Sequence, residues 1–293
     1  MLKGRLGLET ARVPHSDRHG LIWLSRGNLT VEDGTLLFTT AGNGALTAGT
    51  YQIPFQGLSN VLLGPGSTVS HDAMRLLARH GTGAVFVGDK GVRHYASMPF
   101  GPDDSKLARK QAAAWSSEPH RISVARKMYM MRMGEVPPQT DLNALRGIEG
   151  HRMKAIYRGL AQKYGIEWKG RKFDRNNPDA DDLTNKTINH ASAAVRAAAM
   201  VAVALTGTIP QLGFVHEASG NAFALDIADL FRASVMLPIA FQAVKKCEAD
   251  PHLDVERTTR RLAGEVMWKE DLVPSMIDAI KEVLDVDDID NHP

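Results

Sequence analysis

Pro99-Phe100-Gly101-Pro102-Asp103-Asp104-Ser105 divides the chain into two halves with different hydrophobic periods. Proline lacks a backbone N–H, and glycine tolerates conformations other residues avoid, so the stretch interrupts helix and strand alike. Before it, short apolar runs follow one another. Gly20 to Ser25, Asn28 to Val31 and Thr35 to Thr39 read as strands, and Asp33-Gly34 between the last two is a hairpin signal. Tyr51 to Phe55 and Asn60 to Leu63 read as further strands, and Gly83 to Gly88 pairs with Val92 to Tyr95 as one more hairpin. One helix interrupts them, Ser70 to His80, with Ser70 as N-cap and Ala73, Met74, Leu76 and Leu77 as its apolar face. After the divide the period is helical. Helices are predicted over 104–116, 119–133, 141–164, 182–206, 222–247, 253–268 and 272–285, with stops at Pro137-Pro138, Gly165, Gly170, Asn176-Asn177-Pro178 and Gly207. The expected class is α+β. A small β-sheet-rich N-terminal domain spans 1–98, a linker 99–103, and a larger all-α domain 104–293.

The 293 residues are 43% hydrophobic and 23% charged, which is enough apolar material for a sizeable core. No window of about 18 residues is apolar without charge, so no membrane span is expected. Met1 to Arg12 lacks an apolar segment of the export type, and the single cysteine, Cys247, excludes an internal disulfide. A cytoplasmic setting and an inert, helix-borne Cys247 are the corresponding expectations. The net charge of +2 hides an asymmetry: Ser105 to Arg175 holds 16 Lys plus Arg against 6 Asp plus Glu, while Glu270 to Asp290 holds 8 acids and one Lys. A basic middle suits a phosphate-rich partner, although a solvated helix surface has the same composition.

Four residues interrupt apolar patterns where charge is expensive. On the helix from Asp141, the stripe Leu142, Leu145, Met153, Ile156, Leu160 has Glu149 in its gap. On the next-but-one helix, Asp226 and Asp229 share one face among Phe223, Leu225, Ile227 and Leu230. His216 follows Gly213-Phe214-Val215 on the loop entering that helix. Buried like charges need a cation between them. One imidazole with up to three carboxylates makes a mostly oxygen site that suits Mg²⁺ or Mn²⁺ and not structural zinc. Buried ion pairs, with Arg146 or Arg152 for Glu149, and a backbone-bonded core histidine are the alternatives. A metal beside a basic surface points to phosphoryl transfer on nucleic acid. Arg121, Arg126, Lys127 and Arg132 on one helix, Lys169, Arg171, Lys172 and Arg175 beside Trp168, and Arg260 with Arg261 are the candidate backbone contacts.

Leu145-Arg146-Gly147-Ile148-Glu149-Gly150, Gly213-Phe214-Val215-His216 and Asp226-Ile227-Ala228-Asp229 resemble the CRISPR-associated integrase of spacer acquisition, the Cas-one family, in its type I-E form. Val124-Ala125-Arg126-Lys127-Met128 and Trp168-Lys169-Gly170-Arg171 support the likeness, which runs from about residue 15 to 285. The resemblance implies that Glu149, His216 and Asp229 hold the metal, with Asp226 a further acidic member of the catalytic set that stands behind the ligands or holds a transient metal. It implies transesterification: a 3′-hydroxyl of captured double-stranded DNA attacks a phosphodiester at a CRISPR repeat boundary. Metal-dependent endonuclease activity would accompany this. It implies a homodimer through the N-terminal domain and a heterohexamer with a second CRISPR-associated protein (Cas-two), and it leaves open a DNA-bending host factor. Arg75, Arg93, Arg126, Arg171 and Arg260 fall at or near DNA-contacting positions, and Lys127, Lys172 and Arg261 adjoin them. The chain departs from the family in lacking an aromatic residue over Ala191 to Leu205 and in carrying Thr68 where an arginine is expected. Competing readings are a structure-selective nuclease without integration, a non-catalytic dimeric DNA scaffold, and an isoprenoid-type synthase using Asp-x-x-Asp.

Overall fold

The computed structural model describes residues 20–42, 46–97, 105–134, 142–171 and 182–285, leaving aside the side chains of 142–144 and 146. The linker predicted over 99–103 lies outside these residues.

Two four-stranded sheets form the first half. Strands β1 (Gly20–Leu24), β5 (Leu58–Leu63), β7 (Gly83–Val87) and β8 (His94–Ser97) lie in that order in one sheet, with β1, β5 and β7 parallel and β8 antiparallel to β7. Strands β4 (Gly49–Gln52), β3 (Thr35–Thr40), β2 (Gly27–Glu32) and β6 (Thr68–Val69) make the other. The predicted Asp33-Gly34 turn joins β2 to β3 with φ of 47° and 77°, the two left-handed residues that match the twist of a tight hairpin. Helix α1 (His71–Arg79) starts as read: the Ser70 hydroxyl accepts the Ala73 N–H at 3.2 Å. The predicted strand over Tyr51 to Phe55 is shorter, because Phe55–Gly57 turns into a 3₁₀ segment.

The second half is helical: α2 (Lys106–Ser116), α3 (Glu118–Met133), α4 (Leu142–Tyr164), α5 (Leu183–Thr206), α6 (Ala222–Leu230), α7 (Leu237–Ala249), α8 (Val255–Lys269) and α9 (Leu272–Leu284). The α+β class is therefore as read. The helix predicted over 222–247 breaks at Phe231, where Ala222–Leu230 and Arg232–Ala249 meet at 62°. Beyond the break the chain makes a π-helical turn at Arg232–Met236, and Pro238 sits in the first turn of α7, where its missing N–H is tolerated.

One core lies within the β half, around Leu29, Leu36, Phe38, Val61 and Leu77. The larger core is mostly helical but also takes in Leu62, Val85, Val87 and Val92. The first sheet thus supports the helices directly. Helix α5 is the axle of this core, packed by α6, α7, α8 and α9 and presenting Ala191, Ala194, Ala198, Val201 and Ala202 as buried positions. Asp182 caps its start and Gly207, at φ 66°, ends it. By length and composition α5 could cross a membrane, with a hydropathy of 1.4, yet here its apolar faces are packed against protein. Cys247 is buried on α7, and burial pushes its thiol up from the ordinary value, in keeping with an inert role.

Small residues on α5 let its neighbours approach closely. Ala198→Leu is expected to cost about 1–3 kcal/mol through overpacking, measured as a lowered urea midpoint. An unchanged midpoint would show that this face tolerates added volume.

Candidate active site

The site is assembled by α3, α4, α6 and the loop that enters α6. Gly213 opens this loop because a side chain does not fit: a Cβ there would lie 2.3 Å from the His216 carbonyl oxygen and 2.7 Å from Ala222 Cβ. Helix α2 holds the preceding turn. The fully buried Gln111 donates from Nε2 to the Ile209 and Leu212 carbonyls, each at 2.9 Å, and its Oε1 accepts the Ile209 N–H at 2.7 Å. Trp115 Nε1 donates to the Gly213 carbonyl at 3.0 Å. Phe214 then anchors the loop, packed edge-on against Phe223.

Asp226 closes the loop from α6. It is 2% exposed, and its carboxylate accepts the backbone N–H groups of Phe214, Val215 and His216 at 2.6, 3.1 and 2.9 Å. A carboxylate surrounded by N–H donors accepts from each of them, so the 2.7 Å contact with His216 Nδ1 is a hydrogen bond donated by the ring. This leaves Nε2 facing Asp229, 4.0 Å from its Oδ2. The hydrogen bond to Asp226 raises the His216 pKa above 6.5, against the opposing pull of burial, and Asp229 adds to the rise. Asp226 is thus an orienting group whose oxygens are committed to its own loop.

Glu149 and Asp229 meet a different partner. Arg132, on the last turn of α3, places Nη1 2.7 Å from Glu149 Oε1 and 3.6 Å from Asp229 Oδ2. The reading of Arg132 as a surface DNA contact is corrected: its side chain is only 6% exposed. The ion-pair partner expected for Glu149 among its own helix neighbours is supplied instead by α3. Arg232, on the π-helical turn, adds a 2.8 Å contact to Asp229 Oδ1. Arg132 is an imperfectly housed cation. Its Nε and Nη2 have no hydrogen-bond partner among the described residues, and each unmet buried donor costs about 1–3 kcal/mol.

The fit to a metal ion can be judged from this arrangement. Among the described residues, no three His, Cys, Asp or Glu side chains stand in a metal-holding cluster. The donor set nonetheless suits a divalent ion: carboxylate oxygens of Glu149 and Asp229 already share one cation, and His216 Nε2 lies 4.0 Å from Asp229 Oδ2. Asp226, the first carboxylate of Asp-x-x-Asp, is committed to its own loop and is not available for a diphosphate-bound magnesium, which argues against the isoprenoid-synthase reading.

A groove of about 620 Å³ adjoins this site through Gly150 and Arg232. Lys154, Arg158, Lys169, Arg171 and Arg232 line it with Tyr157 and Trp168, and no acid does. The two rings stack at 5.0 Å with 12° between planes. Arg171 is held there by Asn185 and Asn189 at 2.9 and 2.5 Å. Of the other candidate DNA contacts, Arg93 bonds Glu256 at 2.7 Å, and Arg260 reaches the same carboxylate at 3.6 Å beside a second cleft of about 430 Å³ that also holds Arg196. Arg261 is exposed on α8, and Arg126 is half-buried on α3. Arg75 pairs with Asp72 on α1, far along the chain from the site helices. Lys127 is diverted: its Nζ donates to the Glu282 carbonyl at the end of α9. Lys172 lies outside the described residues. Sequence reasoning missed Gln111, Trp115, Lys154, Arg158 and Arg232.

A β-sheet half braced against a helical half, with a carboxylate–histidine site at the end of a basic groove, defines the class. A family model described as CRISPR associated protein Cas1 matches residues 21–136 and 129–271. A CRISPR-associated endonuclease Cas1 from Geobacter sulfurreducens is 33% identical over 273 residues, covering 93% of this chain and 86% of that protein. The one from Escherichia coli K12 is 34% identical over 274 residues, covering 93% and 87%. A crystal structure of a TtCas1–DNA complex superposes with a TM-score of 0.81 at 29% identity, covering 92% of this chain and 98% of that one. The chain belongs to the Cas1 family.

Two outcomes follow from the Asp226 cradle. Asp226→Asn turns an acceptor into a donor against an N–H, and is expected to lower stability by on the order of 3 kcal/mol in chemical denaturation; a change below ~1 kcal/mol would contradict the cradle. In metal-free protein, the His216 pKa is higher folded than unfolded. Its stabilising contribution is therefore complete below pH 6.5 and lost as pH rises through the folded value. The stability gap between parent and His216→Asn should accordingly be larger at about pH 5.5 than at about pH 8.5; the opposite order would show that the imidazole is held neutral.

Proposed function

We propose that this protein is a divalent-metal-dependent DNA integrase and endonuclease. It inserts captured double-stranded DNA into a CRISPR array by attack of a 3′-hydroxyl on a phosphodiester. The observation that supports this reading is that Arg132 Nη1 stands between Glu149 and Asp229, with His216 Nε2 4.0 Å from Asp229, beside a basic groove that Arg232 also lines.

Glu149, Asp229 and His216 Nε2 would hold Mg²⁺ or Mn²⁺. When bound, such an ion supplies Lewis-acid polarisation of the scissile phosphate and stabilises charge developing on it. The chain's own residues do the remaining work. Asp226 keeps the His216 ring oriented and its Nδ1 proton engaged, so that Nε2 is the free nitrogen. Arg232 anchors Asp229. Lys154, Arg158, Lys169 and Arg171 neutralise successive phosphates of a strand led toward the site. Tyr157 and Trp168 give the groove an apolar floor suited to bases or sugars.

The printed names of the relatives, CRISPR-associated endonucleases, and the TtCas1–DNA complex support a DNA substrate. The type I-E subtype, a homodimer through the β half, assembly with the second CRISPR-associated protein into a heterohexamer, a DNA-bending host factor and a cytoplasmic setting belong to the same proposal. They rest on the motifs quoted above.

A strand-joining assay with the protein, its small partner, a short duplex and a supercoiled repeat-bearing plasmid tests this. Joining should require Mg²⁺ or Mn²⁺ and fall about 100-fold or more in Glu149→Gln and Asp229→Asn. Undiminished joining in either variant, or joining in chelator, would overturn it. Metal-dependent cutting without joining would favour the nuclease reading. DNA binding by the parent should weaken steeply with salt, and Lys154→Ala/Arg158→Ala should flatten the log–log slope by roughly two charges; an unchanged slope would place the strand elsewhere.

A further inference from the structure

The guanidinium of Arg132 sits where an ion held by Glu149 and Asp229 would sit. Its Nη1 lies 2.7 Å from one carboxylate and 3.6 Å from the other, so it is the cation they share. Little space is left beside it on the Asp229 side. The cavity between Arg132, His216, Asp226 and Asp229 is about 10 Å³, at the lower limit for even one water. The arginine is also poorly matched to a permanent role there. Its side chain is 6% exposed, yet Nε and Nη2 meet no acceptor among the described residues. A guanidinium built into a lasting buried pair normally has its N–H fork satisfied, often by a bidentate carboxylate. Glu149 instead receives one close contact, from Nη1. A doubly charged ion at the same position would be drawn to the two carboxylates more strongly than this single charge.

We propose that Arg132 is the resident counter-ion of the metal site: it holds Glu149 and Asp229 together in the metal-free protein, and a divalent ion enters by exchange with it. Arg132 thereby sets the metal affinity of the site. The inference rests on the metal-site reading above and deepens it. The exchange accounts for the absence, among the described residues, of a ready three-ligand cluster: the carboxylates are spaced for a guanidinium, with Nη1 lying between them. It also means that apparent affinity is reduced by the fraction of molecules in which the guanidinium has left.

Calorimetric titration of the metal-free chain with MnCl₂ tests the proposal, using the parent, Arg132→Met, Arg132→Lys and Glu149→Gln. Arg132→Met should bind Mn²⁺ roughly tenfold tighter than the parent. It should melt lower than the parent without metal and gain more in Tm when saturated. Arg132→Lys, which keeps a charge but loses the fork, should fall between. If Glu149→Gln abolishes binding while both Arg132 variants bind at the parent's affinity or weaker, Arg132 is a fixed structural pair; the exchange is then overturned and the metal site stands. If Glu149→Gln binds Mn²⁺ like the parent, the metal-site reading has failed and the proposal with it. Should Arg132→Met not fold, the parent itself decides. Its Arg132 Nε–H NMR resonance must move on titration with Mg²⁺, and a resonance that stays through saturation overturns the exchange.

Discussion

Two carboxylates sharing one buried positive charge is the constraint on which the helical half depends. Glu149 comes from α4, Asp229 from α6 and Arg132 from α3. These helices cannot bring their charged residues into the interior singly, because an unpaired buried charge costs several kcal/mol. They meet only as a set. A second arrangement of the same kind sits beside it, where Asp226 gathers three backbone N–H groups and an imidazole. The first houses a shared cation; the second sets His216 Nε2 4.0 Å from Asp229 Oδ2.

The remainder of the fold brings these two arrangements together. Helix α5, lined with alanine and valine, lets α6, α7, α8 and α9 pack closely around it. The bend at Phe231 ends α6 just after Asp229, and Arg232 beyond it comes to within 2.8 Å of that carboxylate. Helix α2 fixes the turn before Gly213 through Gln111 and Trp115, so the loop enters α6 from one direction only. The sheet β1-β5-β7-β8 contributes Leu62, Val85, Val87 and Val92 to the helical core, and the β half is therefore part of the support of the site.

Much of this was legible in the residues. The Asp33-Gly34 hairpin, the Ser70 cap and the switch of period near Pro99 follow from local chemistry, which sequence reports directly. Glu149 was visible as a gap in an apolar stripe, and Gly213 to His216 as a loop. Arg132 was equally visible and was misread. It continues the buried positions Val124, Ala125, Met128 and Tyr129 at helical spacing, so it was as much a misfit on its stripe as Glu149. The surrounding basic residues disguised it as surface. Lys127 has a partner that no local pattern encodes: a carbonyl at the end of α9, 155 residues away. The break at Phe231 carries no glycine or proline of its own, and the strongly apolar run around it reads as one helix. The parallel pairing of β1, β5 and β7 is set by packing against the helices and leaves no short-range mark.

The central claim is that Glu149, Asp229 and His216 form a single divalent-ion site in which the ring nitrogen left free by Asp226 is a ligand. Pulsed electron paramagnetic resonance on the Mn²⁺-loaded protein reads this directly, because an imidazole nitrogen bound to Mn²⁺ modulates the echo. The expected result is one tightly bound ion per chain whose nitrogen modulation disappears in His216→Gln, with binding itself lost in Glu149→Gln. A tightly bound ion with no nitrogen modulation in the parent, or one indifferent to both substitutions, would contradict it.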